Sequence, residues 1–183
     1  MRILGISGSL RRDSHNTRLL RGVDRLLPGG VELELFDQLG VIPPYNEDEE
    51  HETPPAVAAL KAAIAGADAV LVATPEYNAS IPGVLKNALD WVSRPVKDTP
   101  LMGKPVAVIG ASTGLFGAVW AQAETRKVLS TIGARVVDRE IPIPEADEAL
   151  GGDGLPLDED ARELLEATLT ELIELAEPQR VAA

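Results

Sequence analysis

The sequence predicts an α/β fold: a single three-layer domain in which a five-stranded parallel sheet is doubly wound between helices. Three observations predict it. Short, nearly charge-free apolar runs (ILGIS at 3–7, DAVLVAT at 68–74, VAVIGA at 106–111) alternate with longer stretches whose apolar residues recur every three or four positions. Polar loops rich in Gly, Pro, Ser and Asn separate the two kinds of segment. At 183 residues the chain is the size of one domain with one core.

Taken in order, Arg2 to Ser7 reads as a strand running into Gly8, and Ser14 to Leu27 as a helix with Leu19, Leu20, Val23, Leu26 and Leu27 on one face. Val31 to Phe36 alternates apolar residues with glutamates, the pattern of a strand exposed on one side, hence an edge. After an irregular loop, a helix from Pro54 uses Val57, Leu60 and Ile64. Asp68 to Thr74 is apolar throughout its middle and belongs at the sheet centre, covered on both faces. Pro82 opens a third helix with Val84, Leu85, Ala88, Leu89 and Val92 turned inward, and Pro95 ends it. Val106 to Ala111 is a further buried strand, followed by the loop Ser112 to Gly117 and a helix to about Ile132. Arg135 to Arg139 begins the fifth strand. Asp158, Glu159 and Asp160 put negative charge at the start of a last helix, where Ala161, Leu164, Leu165, Thr168, Leu169, Leu172, Ile173 and Ala176 hold helical spacing. Pro178 closes it, giving a domain over 1–178 and a frayed tail over 179–183.

Strands alternating with helices pair in parallel through right-handed crossovers. The flavodoxin-like strand order 2-1-3-4-5 is the expected solution, and it puts ligands beyond the carboxyl ends of the strands, at the switch between the first and third. The loops that begin at Gly8, Pro75 and Ser112 therefore frame the expected site.

Composition narrows the chemistry. The chain has no cysteine, which removes disulfides, thiolate nucleophiles and iron-sulfur ligation. Its two histidines, His15 and His51, show no metal-ligand spacing and read as ordinary loop or surface residues. Redox chemistry would then belong to an organic cofactor. A net charge of −12 argues against nucleic acid as a partner. Residues 1–25 nevertheless carry Arg2, Arg11, Arg12, Arg18, Arg21 and Arg25 against only Asp13 and Asp24, an asymmetry suited to one small anionic group. Arg18, Arg21 and Arg25, three and four apart, read as a solvated helix face. No signal-like or membrane-spanning apolar segment is present, so the expected compartment is the cytoplasm, with no membrane partner.

The loop after the first strand, Gly8 to Thr17, packs hydroxyls, an amide and guanidinium groups at the positive end of a helix. Ser9, Ser14, Asn16 and Thr17 can donate to a phosphate while Arg11 adds a charge-assisted bond. On the same residues, Ser14 or Asn16 also reads as a simple helix cap. The nucleotide motifs with a lysine or a third glycine are absent.

The segment Pro75-Glu76-Tyr77-Asn78-Ala79-Ser80-Ile81-Pro82-Gly83-Val84-Leu85-Lys86-Asn87-Ala88-Leu89-Asp90-Trp91 resembles the signature of the NADPH-dependent FMN reductase family, which includes quinone, azo-compound and chromate reductases. Gly8-Ser9-Leu10-Arg11 with Ser14 and Asn16 resembles that family's phosphate loop. Gly110-Ala111-Ser112-Thr113-Gly114 with Gly117 resembles its third flavin loop, although Ala118 stands where many members have a second glycine. The resemblance covers about residues 2–140. It implies noncovalent FMN, NADPH or NADH as co-substrate, a small-molecule acceptor, and a homodimer or homotetramer.

By position, the resemblance assigns Ser9, Arg11, Ser14, Asn16 and Thr17 to the FMN phosphate. Pro75, Glu76, Tyr77 and Asn78 would border the isoalloxazine ring, with Ser112 and Gly114 at its other edge. Tyr77 and Asn78 follow a buried strand, where backbone N–H groups without a ladder partner can donate to a flavin. Lys86, Asn87, Asp90, Trp91 and Arg94 fit either a subunit interface or an ordinary amphipathic helix. The acidic loop 43–52 is expected to be solvated. The implied activity is a ping-pong transfer of hydride from nicotinamide to FMN and of two electrons onward, without a side-chain catalyst or a metal. A non-enzymatic FMN-binding electron carrier or regulatory module is the competing reading.

Overall fold

In the computed structural model, which describes residues 1–177, five strand positions form one parallel sheet in the order β2-β1-β3-β4-β5. The strands are β1 (Arg2–Ser7), β2 (Glu32–Phe36), β3 (Ala69–Ala73), β4 (Pro105–Ala111) and β5 (Arg135–Val136). Ile3 of β1 lies opposite Leu33 on one side and Ala69 on the other, so β1 is flanked by β2 and β3 and the chain reverses its winding there. Every residue of β3 and β4 is buried, as their charge-free runs require, and the glutamates of β2 lie on the outer edge.

Helices α1 (His15–Val23) and α6 (Glu159–Ala176) cover one face, where Leu19, Leu20, Val23, Leu165, Leu169 and Leu172 meet Ile3 and Ile109. Helices α2 (Pro55–Gly66), α3 (Gly83–Val92) and α4 (Val119–Ile132) cover the other, where Val57, Leu60, Ile64, Leu85 and Leu129 meet Leu4, Val70 and Val108. Among the described residues, no helix is long and apolar enough to cross a membrane. Pro178 and the tail expected at 179–183 lie outside the described residues.

The structure departs from the sequence reading in several places. Helix α1 ends at Val23 rather than Leu27, because Pro28 disfavours helical geometry in the residue before it; Leu26 and Leu27 still pack on the core from the following turns. The fifth strand is split. After β5 the chain leaves the sheet and returns as β6 (Pro142–Ile143), which pairs with Gly110 and Ala111 at the far end of β4. Buried Gln122 of α4 fills the gap, accepting from the Ile141 N–H at 3.0 Å and donating to the carbonyls of Ile141 at 2.9 Å and Gly117 at 3.1 Å. A short helix, α5 (Ala146–Ala149), follows β6.

Trp91, one of the residues that fitted a subunit interface, is instead fully buried. Its indole N–H and the Asn87 amide each donate to the Pro43 carbonyl at 2.8 Å, and Asn87 accepts from the Tyr45 N–H at 2.7 Å. The acidic loop is thereby tied to α3 at its root. Its Glu50 accepts a hydrogen bond from the Tyr45 hydroxyl, which holds that phenol above its ordinary pKa, while Glu47, Asp48 and Glu49 stay exposed.

Candidate functional site

The carboxyl ends of β1, β3 and β4 open into a cleft of about 100 Å³. It brings together Ser9, Arg11, Ser14 and Asn16 from the first loop, Pro75, Glu76 and Tyr77 from the second, and Ser112 from the third. It also contains His15, Ala111 and Thr113, which sequence reasoning did not select.

The first loop owes its shape to hydroxyls. Ser14, in extended conformation, caps α1 by accepting the Thr17 N–H at 3.3 Å. This leaves the first-turn N–H groups of His15 and Asn16 without intrahelical acceptors. Gly8 donates to the Ala73 carbonyl at 2.8 Å, tying the loop to β3. A Cβ at Gly8 would stand 3.1 Å from Leu85 and 3.2 Å from Pro75, so only glycine lets the backbone approach this closely without displacing them. Arg11 is exposed, and its guanidinium donates to the Asp13 carbonyl at 2.9 Å.

Asn16 is buried and acts as a rivet. Its amide donates to the Ala111 carbonyl and accepts the Ala111 N–H, both at 2.9 Å, which locks α1 to the end of β4. Thr17 does not line the cleft. Its hydroxyl is 2.8 Å from Ser7 Oγ, on the side of a neighbouring cavity bounded by Leu35, Phe36 and Asp37.

The second loop is a tight turn. Tyr77 and Ser80 exchange backbone hydrogen bonds at 3.2 and 3.1 Å around Asn78 and Ala79, whose φ values of 53° and 57° are both left-handed. The Tyr77 N–H is therefore occupied within the turn rather than free for a ligand, and Asn78 stands outside the cleft lining at the exposed tip. Two carboxylates fix this turn to α4. Glu76 accepts the Ala121 N–H at 3.0 Å, and Glu124 accepts from the Ser80 hydroxyl at 2.6 Å and the Ile81 N–H at 3.3 Å.

The third loop hangs from β6 and α5. Ser112 donates its N–H to Ile143 at 3.1 Å and accepts from Ala146 at 3.0 Å, and its hydroxyl accepts the Gly114 N–H at 3.1 Å. Gly114 itself is exposed and outside the cleft lining. Ala118, the departure noted in the sequence, adopts a left-handed φ of 63° and is buried, so the backbone keeps the shape a glycine would give.

His15 is the main correction on this side. It is not a surface residue: its side chain is 11% exposed, with Nε2 3.0 Å from an Asp147 carboxylate oxygen. The signal was its place as first residue of a helix that starts in the site. Tyr77 of the cleft lining is exposed, as are Leu115, Phe116 and Trp120 of the third loop and the start of α4, and the rings of the last two meet at a tilt of 58° with centres 4.8 Å apart. A larger groove of about 390 Å³ runs between α3 and α4, past Lys86, Asp90 and Val128, to the side of the strand ends.

A sequence profile described as NADPH-dependent FMN reductase matches residues 1–148. The chain belongs to this family. The reductase is 45% identical over 174 residues to an NAD(P)H-dependent FMN reductase of Pseudomonas aeruginosa, covering 94% of this chain and 93% of the relative. It is 36% identical over 182 residues to a 2-hydroxy-1,4-benzoquinone reductase of a Burkholderia species, covering 99% of each. Its fold overlays FerB, a flavoenzyme NAD(P)H:(acceptor) oxidoreductase from Paracoccus denitrificans, with a TM-score of 0.82 at 36% identity and 96% coverage of each chain. The reductase is thus an oxidoreductase of the FMN- and nicotinamide-dependent kind, and the reading as a non-enzymatic carrier or module gives way to an enzyme.

Proposed function

We propose that residues 1–178 act as one FMN-binding domain that passes reducing equivalents from NADPH or NADH to a small acceptor of the quinone, flavin or azo type. The observation that carries the reading is the convergence of the three loops on one cleft at the start of α1. At about 100 Å³ the cleft falls below the roughly 300–1,000 Å³ of sites that enclose a drug-sized ligand, so it suits one end of a cofactor whose remainder lies over the mouth. Hydroxyls, a guanidinium and unpaired helix N–H groups are donors fitted to a phosphate.

In this reading Ser9, Arg11 and Ser14 hold the phosphate directly, and Asn16 adds its backbone N–H. Thr17 acts through Ser7, whose hydroxyl it holds and which in turn accepts the Ser9 N–H at 3.4 Å. Pro75, Glu76, Tyr77 and Asn78 border the ring, with the Asn78 N–H as the donor left by the turn. Ser112 and Gly114 stand at the other edge. When bound, the flavin supplies a hydride acceptor and returns two electrons to a second substrate, so donor and acceptor use the site in turn by a ping-pong scheme. The protein's part is positioning, exclusion of water and donation to the flavin's polar edge.

The exposed Glu47, Asp48 and Glu49 favour neutral quinones over anionic acceptors, an effect that fades beyond ~8–10 Å at physiological salt. The exposed Tyr77, Leu115, Phe116 and Trp120 support association into a homodimer or homotetramer, in a cytoplasmic setting. The test is the visible spectrum of the purified protein with FMN, followed anaerobically on adding NADPH and then NADH. Bleaching of the flavin band is expected, and a bound flavin that neither nucleotide bleaches overturns the reading.

A further inference from the structure

Ser9 borders a second cavity, of about 250 Å³, which lies between α1 and the carboxyl end of β2. Thr17 and Arg21, one turn apart on α1, line one side, and Leu35, Phe36 and Asp37, at and just beyond the end of β2, line the other. The cavity is therefore at the same end of the sheet as the cleft, one strand nearer the edge, and Ser9 is common to both. Arg21 and Asp37 are exposed and of opposite sign, yet among the described residues neither has an ion-pair partner, and they do not pair with each other. Together they offer a ligand one cation and one anion beside an apolar, partly aromatic wall.

Those features call for an anionic group, a pair of hydroxyl donors and a flat apolar body in one molecule. A carboxylate only accepts, and its two oxygens match a vicinal diol; a guanidinium suits phosphate; Phe36 supplies a ring beside which a base can pack. In parallel α/β sheets a carboxylate beyond the first loop can meet the ribose of a nucleotide whose phosphates lie near that loop. We propose that this cavity holds the adenosine 5′-phosphate end of a dinucleotide, with Asp37 accepting from the ribose 2′- and 3′-hydroxyls and Arg21 donating to the 5′-phosphate. The inference rests on the reading of the chain as a reductase supplied by a nicotinamide nucleotide. At about 250 Å³ the cavity takes one nucleoside end and leaves the nicotinamide end outside it. A 2′-phosphate would set a second anion against Asp37, so the site selects NADH over NADPH. FAD carries the same adenosine end and a free diol, and is the other source of this chemistry.

The test is steady-state quinone reduction by the FMN-loaded protein, with adenosine 5′-phosphate and adenosine 2′,5′-bisphosphate as probes. Adenosine 5′-phosphate is expected to compete with NADH, and the bisphosphate to compete more weakly. Asp37→Ser is expected to lower kcat/KM for NADH about ten- to a hundredfold and to raise it for NADPH, and Arg21→Ala to weaken adenosine 5′-phosphate by a similar factor. Fluorescence titration of both variants should return the parent's FMN affinity. An unchanged ratio of NADH to NADPH in Asp37→Ser, no competition by adenosine 5′-phosphate, or an equal loss of FMN binding overturns the proposal. A loss confined to FAD binding upholds the site and assigns its adenosine to the flavin. A parent protein that binds no FMN, or oxidises neither nucleotide, is a separate result and removes the reductase reading itself.

Discussion

Glu76 caps a helix to which it does not belong. Its carboxylate accepts the Ala121 N–H of α4 at 3.0 Å, where the helix's own cap residue, Ala118, offers no side-chain acceptor. The loop that follows β3 thus stabilises the start of α4 and is held in place by it. Glu76→Ala should lower stability by about 0.5–2 kcal/mol, the usual loss for a side-chain cap. Glu76→Gln, which keeps an acceptor oxygen, should lose less. Urea unfolding of the two variants checks the order, and equal stabilities to the parent would remove the cap from the account.

Arg11 is exposed and makes one bond to a carbonyl in its own loop, so it can turn to a ligand without breaking the fold. Arg11→Ala should weaken FMN about ten- to a hundredfold through the lost charge-assisted bond and leave the melting temperature of the apoprotein unchanged. Fluorescence titration reads the first quantity and a thermal melt the second.

Asn16 should behave in the opposite way. Its side chain satisfies both backbone groups of buried Ala111, so Asn16→Ala strands a donor and an acceptor and should cost about 1–3 kcal/mol of folding free energy for each group left unpaired. A denaturant midpoint equal to the parent's would show that the rivet is dispensable.

Ala79 occupies the second central position of the turn after β3 at a φ of 57°, exposed and free of core contacts. Glycine takes that conformation without the Cβ clash, and Asn-Gly is the favoured pair for such a turn. Ala79→Gly should therefore stabilise the protein by up to about 1 kcal/mol, the lower end of the left-handed penalty. Loss of stability on this change would mean that the turn draws its shape from Glu124 and Ser80 alone.

Much of this architecture is legible in the residues. Charge-free runs mark β3 and β4 as the sheet centre, alternating glutamates mark β2 as an edge, and the spacing of Leu165, Leu169 and Leu172 marks the buried face of α6. The convergence of three loops follows from strand order. What escapes are effects that depend on a partner distant in sequence. Gln122 interrupts the fifth strand from 19 residues away, and nothing in either segment alone signals it. Trp91 is buried because Pro43 and Tyr45 fold back over α3, while periodicity alone leaves its face undecided. The Tyr77 N–H is consumed because Asn78 and Ala79 both take left-handed geometry, which an alanine does not announce.

The split of the fifth strand bears on how the molecule meets its neighbours in solution. A continuous outer strand presents a row of free backbone donors and acceptors that another chain can extend by pairing. Here β5 and β6 each span only 2 residues, and buried Gln122 takes up the backbone groups of Ile141 between them. On the opposite flank, Glu32 and Glu34 of β2 set like charges along the rim. Short outer strands on one flank and like charges on the other both disfavour strand addition, and so guard the sheet against fibrillar growth.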